Sequence, residues 1–332
     1  MDPIQVLSLG DLNDEHLGLL RSVPGISLHQ LAPGEDIQPH LATAEVMLIH
    51  DTSFGLERAP RLRWLQTISA GVDHLPLAEI QRASIHLTTA SGVHAVPIAE
   101  HVFALMLAWV RRLPVAWHCS PAGDWQQARP AMQGMGELQG ATLGIVGYGS
   151  IGRQVARVGQ ALGMRVLALR RAAGRREQGW GEPGTGDPAG KIPVRLYRTP
   201  ELLALLPQCD FVVLALPLTP ATRGIIGERE LAALKPGAFL VNIARGGLVD
   251  EPALIRALQK GQLAGAGLDV FACEPLPADS PLYRMENVFF TPHVAGNSQA
   301  HNGRLTRLFA ENLRRYVEAQ PLLNEVEWDR GY

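Results

Sequence analysis

The hexapeptide Gly147-Tyr148-Gly149-Ser150-Ile151-Gly152 constrains this chain more than any other feature, because of what flanks it. Ahead of it, 141–146 is an apolar run of strand length. Behind it, 153–162 carries Val155, Val158, Ala161 and Leu162 at helical spacing. Gly163 then closes the helix, and 164–169 is a second apolar strand. Strand, glycine turn, helix and strand form the βαβ unit that cradles a dinucleotide pyrophosphate. In such a unit Gly147 allows the tight turn, Gly149 admits backbone amides to the phosphates, and Gly152 lets the helix sit close to the strand. The helix start offers unpaired N–H groups and a positive dipole end to the anion. A lone GxGxxG arises easily by chance; the complete unit does not.

At 332 residues the chain has room for two domains of ordinary size. With 46% apolar and 19% charged residues it can bury a sizeable core and stay in solution. The formal net charge of -2, with arginine pairs at 111–112, 170–171 and 175–176 but no long basic run, gives no reason to expect nucleic acid or an anionic membrane as partner. Cys119, Cys209 and Cys273 are odd in number and unrelated in spacing, which argues against a disulfide framework or a zinc site. The N-terminal stretch lacks a basic n-region, and the most apolar run, 102–110, is far too short to cross a bilayer. A reducing cytoplasm is the expected location.

The first hundred residues alternate strand candidates (4–9, 26–31, 46–50, 64–68 and 85–89) with helical or loop segments such as 14–23 and 76–83. This alternation predicts a parallel sheet covered by helices on both faces. No turn among them carries a GxGxxG, so this first α/β unit is not the expected cofactor site. A long helix is predicted over 97–112, with Pro97 in its first turn and Pro114 ending it, followed by a polar, Gly-rich stretch over 120–140. After 164–169 comes an insert, 172–198, rich in Gly, Arg and Pro, which reads as a cover for the cofactor or, more simply, as a surface loop or interface decoration. Regular alternation resumes at 200–206 and 211–215, continues through 228–234, 238–243, 251–260, 265–270 and 288–291, and ends on an amphipathic helix over 299–319.

Three later segments each put one reactive side chain just beyond a strand end, where open α/β sheets gather ligands: Arg245 followed by two glycines, Asp269 with Glu274 in the turn behind it, and His293 presented by Pro292. Each alone has a bland reading, as a surface arginine, a solvated turn residue or a packed histidine. Together with the glycine turn, the chain resembles the D-isomer-specific 2-hydroxyacid dehydrogenase family across nearly its whole length. The motifs that carry the resemblance run from Gly144 to Gly152, Pro217 to Arg223, Leu234 to Glu251, Gly267 to Pro275 and Thr291 to Gly296, in the family's order.

The resemblance implies two doubly wound parallel-sheet α/β domains, the second a Rossmann dinucleotide-binding domain inserted in the first. Residues 1–100 and 298–332 would form a flavodoxin-like substrate domain and 101–297 the cofactor domain, with a homodimer formed through 97–140. It implies catalysis by His293 as general acid/base, Glu274 as its hydrogen-bond partner and Arg245 as clamp on the substrate carboxylate and carbonyl oxygen. A buried Glu274 anion would favour the imidazolium. Cofactor contacts would come from Gly147, Tyr148, Gly149, Ser150, Ile151 and Gly152, from Pro217 and Thr222, and from Ile243, Ala244, Arg245, Asp269, His293 and Gly296, with Asp269 at the nicotinamide carboxamide. The Ser69-Ala70-Gly71-Val72-Asp73 segment matches the loop whose backbone amides hold the substrate carboxylate, making Ala70, Gly71 and Val72 substrate-binding candidates. Glu100 and His101 fall in the family's hinge helix and read as architectural. No metal is implied.

One position departs from the family pattern. Where an acid selects NAD, this chain has Arg170 and then Arg171, which favour a 2′-phosphate and so NADP, with NAD still usable if both side chains face solvent. The leading expectation is hydride transfer between NADPH and a small 2-oxo or D-2-hydroxy acid such as glyoxylate or hydroxypyruvate. The same scaffold oxidising phosphoglycerate or phosphite, or acting as a dinucleotide-sensing, corepressor-like binding protein, are the alternatives.

Overall fold

Val46-Met47-Leu48-Ile49 is buried along its whole length, as a strand covered by helices on both faces must be. It lies at the centre of a five-stranded sheet built from β1 (Ile4–Ser8), β2 (Ile26–Gln30), β3 (Val46–Ile49), β4 (Trp64–Thr67) and β5 (His86–Thr88), in the order β2-β1-β3-β4-β5. Every pairing in it is parallel, which gives the flavodoxin-like doubly wound order. The computed structural model describes residues 2–119, 125–171 and 179–329. The first sheet belongs to a unit assembled from Met1–His94, Gln178–Gly184 and Asn297–Tyr332. Its C-terminal helix, His301–Val317, lays Leu305, Leu308, Phe309 and Leu313 onto Val46, Leu48 and Trp64. The Trp64 and Phe309 rings lie 5.4 Å apart, and Trp64 Nε1 donates to Thr88 Oγ1 at 2.8 Å.

The second unit comprises Ala95–Glu177 and Thr185–Gly296. Its sheet contains β6 (Thr142–Val146), β7 (Arg165–Leu169), β8 (Arg195–Tyr197), β9 (Phe211–Leu214), β10 (Phe239–Asn242), β11 (Gly265–Leu268) and β12 (Val288–Phe290), in the order β12-β11-β10-β9-β6-β7-β8. All of these pairings are parallel too. Read from the β8 edge, the strands come third, second, first, fourth and onward, which is the Rossmann order with its switch point between β6 and β9. The helix Ala95–Val110 packs Val102, Phe103 and Met106 against Leu143, Val155 and Ala156, and so braces the helix Ser150–Ala161 that follows the glycine turn. Trp109 stacks on Phe239 with ring centroids 5.0 Å apart.

Three local expectations change. Pro114 does not stop helical structure: it occupies the first turn of a further helix, Leu113–Cys119, where its missing N–H costs nothing. Another helix, Trp125–Ala131, forms within the polar, Gly-rich stretch, of which residues 120–124 lie outside the described residues. The insert, whose residues 172–178 lie outside the described residues, is more than a surface loop in its described part. Trp180 packs into the first unit's core, with its amide donating to Asn324 Oδ1 at 2.9 Å. Glu182 pairs with Arg307 at 2.7 Å, and the insert ends as β8, which pairs with β7 through Leu167 opposite Arg195. No described helix is long and apolar enough to cross a membrane.

Candidate active site

The glycine turn leaves β6 at the switch point. Gly147 takes φ +111°, closed to most side chains, and a Cβ there would run into the backbone of Ala215 and Leu216 where β9 ends. A Cβ on Gly152 would collide with the Gly147 carbonyl, so helix and strand meet only because both residues lack one. Gly149 differs: nothing lies within 4 Å of its Cβ position, and it stands at the N-terminus of the helix Ser150–Ala161. Closed at both ends and open in the middle, the turn has the shape that a pyrophosphate at a helix start requires. Ser150 and Ile151 begin that helix half-buried.

Between these glycines, Tyr148 turns inward and is 4% exposed. Its hydroxyl donates to Asp187 Oδ2 at 2.7 Å, and the guanidinium of fully buried Arg153 lies 4.8 Å from its ring centroid. Asp187 comes from the insert. Its carboxylate also accepts from the amides of Lys191 at 3.0 Å and Ile192 at 2.9 Å, while its carbonyl accepts from Arg153 Nη1. Burial opposes the charge on Asp187, but the Ile192 amide, the Tyr148 hydroxyl, the Lys191 amide and the Arg153 cation together hold its carboxyl below the ordinary range. The described insert therefore grips the glycine turn from behind. Arg170 directly follows β7, its amide donating to the Tyr197 carbonyl at 2.9 Å; its side chain is half-buried and Arg171 is exposed.

The exits of β9, β10, β11 and β12 complete the same C-terminal edge. After β9, Thr222 Oγ1 donates to the Pro217 carbonyl at 2.7 Å and accepts from the Thr219 amide at 2.8 Å, closing that loop on itself. After β10, buried Asn242 accepts from the Ala244 amide at 3.1 Å and donates to the Arg245 carbonyl at 3.0 Å. It thereby shapes the turn through Ile243 and Ala244. Arg245 is half-buried, with Nη1 donating to the Ala244 carbonyl at 2.8 Å. A Cβ on the next residue, Gly246, would overlap the Phe271 carbonyl group, so the Arg245 loop lies backbone to backbone on the loop that carries Glu274.

His293 adopts φ +54° and is held there by its neighbours. Its amide donates to the Asp269 carbonyl at 2.8 Å. The Asp269 carboxylate, 1% exposed, accepts from Thr291 Oγ1 at 2.6 Å, the Val294 amide at 2.9 Å and the Ala295 amide at 3.0 Å. Since Thr291 gives its hydroxyl proton to Asp269, it accepts from His101 Nε2 at 3.0 Å, which ties the helix Ala95–Val110 to the same turn. Glu274 Oε1 accepts from the Phe271 amide at 2.9 Å, and Oε2 lies 2.7 Å from His293 Nδ1. The anion is not buried as expected: the Glu274 side chain is 35% exposed and that of His293 49%. Gly296 ends the unit's last segment.

The Ala70-Gly71-Val72 loop belongs to the first unit and follows β4. Val72 is 2% exposed and anchors it in the core, while Ser69 Oγ donates to the Gly71 carbonyl at 2.7 Å. Any ligand contact there falls to the backbone and to Ala70.

Against family models, residues 103–295 match the D-isomer specific 2-hydroxyacid dehydrogenase NAD-binding domain. The chain belongs to the D-isomer specific 2-hydroxyacid dehydrogenase family. It is 39% identical to a glyoxylate reductase of Korarchaeum cryptofilum over 77% of this chain and 74% of the relative. A D-isomer specific 2-hydroxyacid dehydrogenase from Xanthobacter autotrophicus, solved with NADPH and MES, superposes with a TM-score of 0.81 at 28% identity over all of both chains. An NADPH-dependent glyoxylate/hydroxypyruvate reductase from Sinorhizobium meliloti, solved with NADP and sulfate, superposes with a TM-score of 0.79 at 27% identity, covering 99% of this chain and all of the other. This dehydrogenase is thus a nicotinamide-dependent oxidoreductase of 2-oxo and 2-hydroxy acids.

Two residues that shape the dehydrogenase's site escaped sequence reasoning. Asn242 was visible as a lone polar residue ending an apolar strand, a signal that could have flagged it. Asp187 lies in a stretch with no periodicity, and nothing in the sequence connects it to Tyr148, 39 positions earlier.

Proposed function

We propose that the protein reduces a small 2-oxo acid, glyoxylate or hydroxypyruvate, to the 2-hydroxy acid with NADPH as electron donor. The observation that carries this reading is the His293 Nδ1–Glu274 Oε2 contact of 2.7 Å on the sheet edge that also carries the open glycine turn and Arg245. Glu274 holds Nδ1 of the ring, leaving Nε2 to act on substrate. When bound, the nicotinamide supplies the hydride to C2. His293 Nε2 then gives a proton to the oxygen that becomes the hydroxyl, and takes it back in the oxidative direction. Arg245 clamps the carboxylate and carbonyl oxygen and opposes the developing negative charge. In the first unit, Ala70, Gly71 and Val72 are the candidates to offer backbone amides to a substrate carboxylate. Asp269 keeps the His293 turn in place; together with Ile243, Ala244, Gly296, Pro217 and Thr222 it would hold the nicotinamide end of the bound cofactor.

Arg170 and Arg171 support NADPH over NADH, because a guanidinium pairs with a 2′-phosphate dianion. The test is steady-state turnover of both cofactors with glyoxylate, hydroxypyruvate and phosphohydroxypyruvate, and of phosphite in the oxidative direction. Arg170→Asp should lower kcat/KM for NADPH at least about tenfold relative to NADH, the worth of one charge-assisted hydrogen bond. A wild type that favours NADH overturns the cofactor reading. Turnover confined to phosphohydroxypyruvate or phosphite overturns the substrate, and no turnover with any of them leaves dinucleotide sensing.

The protein is also proposed to be a cytoplasmic homodimer. Leu107, Leu113, Trp117, Trp125 and Met135 are all exposed within one stretch of the second unit, the two tryptophans at 67% and 75%, and a second copy would cover them. Cys209 and Cys273 are free thiols, which suits a reducing compartment. A solution mass equal to one chain refutes the dimer.

A further inference from the structure

At the edge of the first sheet, two imidazoles converge on one carboxylate. His29 stands on the edge strand β2, His40 on the short helix Gln38–Leu41, and Glu35 in the turn between them. Each histidine brings its Nε2 to 2.9 Å from the same atom, Glu35 Oε1. The two rings stack with centroids 4.0 Å apart and planes 18° off parallel. The three atoms lie within 4.8 Å of one another. Glu35 is itself oriented, its Oε2 accepting from the Ala32 amide at 2.8 Å.

Two rings present the same nitrogen to a single carboxylate oxygen and stack, which gathers two imidazole nitrogens and one carboxylate oxygen around a common point. We propose that His29, Glu35 and His40 form a binding site for a divalent transition-metal ion of the zinc class. Two imidazole nitrogens and a carboxylate are the donor set of Zn²⁺, and of Co²⁺ and Ni²⁺, whereas Mg²⁺ and Ca²⁺ take oxygen donors. Three protein ligands leave a fourth position for water, and the Ala32 amide supplies the outer hydrogen bond that fixes a ligating carboxylate. Bound there, the ion would fasten the 31–37 turn between β2 and the short helix.

The test is calorimetric titration of untagged, chelator-stripped protein with zinc chloride, and separately with magnesium chloride. The expected result is one saturable zinc per chain and none for magnesium. His29→Ala and His40→Ala should each weaken zinc more than about tenfold, and the double variant should abolish it. Zinc should raise the thermal midpoint of the wild type but not of the double variant, which circular dichroism will show to be folded. Absence of saturable zinc binding overturns the site. So does stoichiometric binding that survives the double substitution, for instance at the exposed Cys273 thiol.

Discussion

Removing Asp187 tests whether the insert governs the glycine turn and, through it, the proposed cofactor site. Its carboxylate accepts the Tyr148 hydroxyl and two backbone amides in a place that is 6% exposed, beside the fully buried Arg153 cation. Asp187→Ala removes this acceptor from all three donors and a negative charge from beside the Arg153 guanidinium. A hydrogen bond to a charged group is worth about 1.5–3 kcal/mol, but the three are not additive; breaking a buried charged network costs about 3–5 kcal/mol in total. Part of that loss falls on the turn itself. If the Tyr148 bond alone is felt there, at about 1.5 kcal/mol, the dissociation constant for NADPH rises roughly tenfold. Fluorescence titration with NADPH reads the affinity, and hydrogen exchange of the 147–153 amides reads the loosening. The rate at saturating NADPH should hardly change, because no group that touches substrate has moved. Tyr148→Phe removes one bond of the three, so it should reproduce the affinity loss at a smaller cost in stability. An Asp187→Ala protein that binds NADPH within twofold of wild type, with unchanged exchange, refutes the argument.

Three further outcomes are expected. His293→Gln should lower turnover about a hundred- to ten-thousandfold while NADPH affinity stays constant, and near-normal turnover would dismiss it as the acid. Arg245→Lys keeps a charge but loses the bidentate fork, so substrate KM and kcat should suffer while the NADPH dissociation constant holds; equal losses in both would assign it to nucleotide or fold. Burial, then the nearby His301 and Arg304, push the pKa of His94 down to about 4. The unfolded chain takes up that proton near pH 6.5, so stability is full above 6.5 and declines as pH falls toward 4, by up to about 3 kcal/mol. Thermal midpoints across that range should fall less steeply in His94→Asn, and parallel slopes would exclude His94 as the cause.

What could be read from sequence was local or periodic. The βαβ unit around Gly147 was legible because a φ of +111° and a helix packed onto a strand each demand glycine at a set spacing. Strands such as β3 and β9, buried on both faces, announce themselves as unbroken apolar runs. β8 does not: Arg195-Leu196-Tyr197 is a strand only because β7 lies beside it. The family motifs named Glu274 and His293, and the structure sets them 2.7 Å apart, but their exposure depends on what surrounds both loops, which no motif encodes. Asp187 and Trp180 were illegible for the same reason, since their partners lie 39 and 144 residues away.

The piecewise make-up of the first unit sets limits on how such a protein can be recombined. A transplant of the dinucleotide-binding unit as one continuous fragment, from Ala95 to Gly296, would carry Gln178–Gly184 along with it. Trp180 and Glu182 would then arrive without the Asn324, Arg304 and Arg307 they meet in this chain. The donor would meanwhile lose an indole that packs in its core. A working chimera needs a third exchange, in which the recipient's own linker replaces that short stretch. Lineages that carry such an insert should therefore inherit their two halves together, and swaps should succeed chiefly among chains with matching inserts.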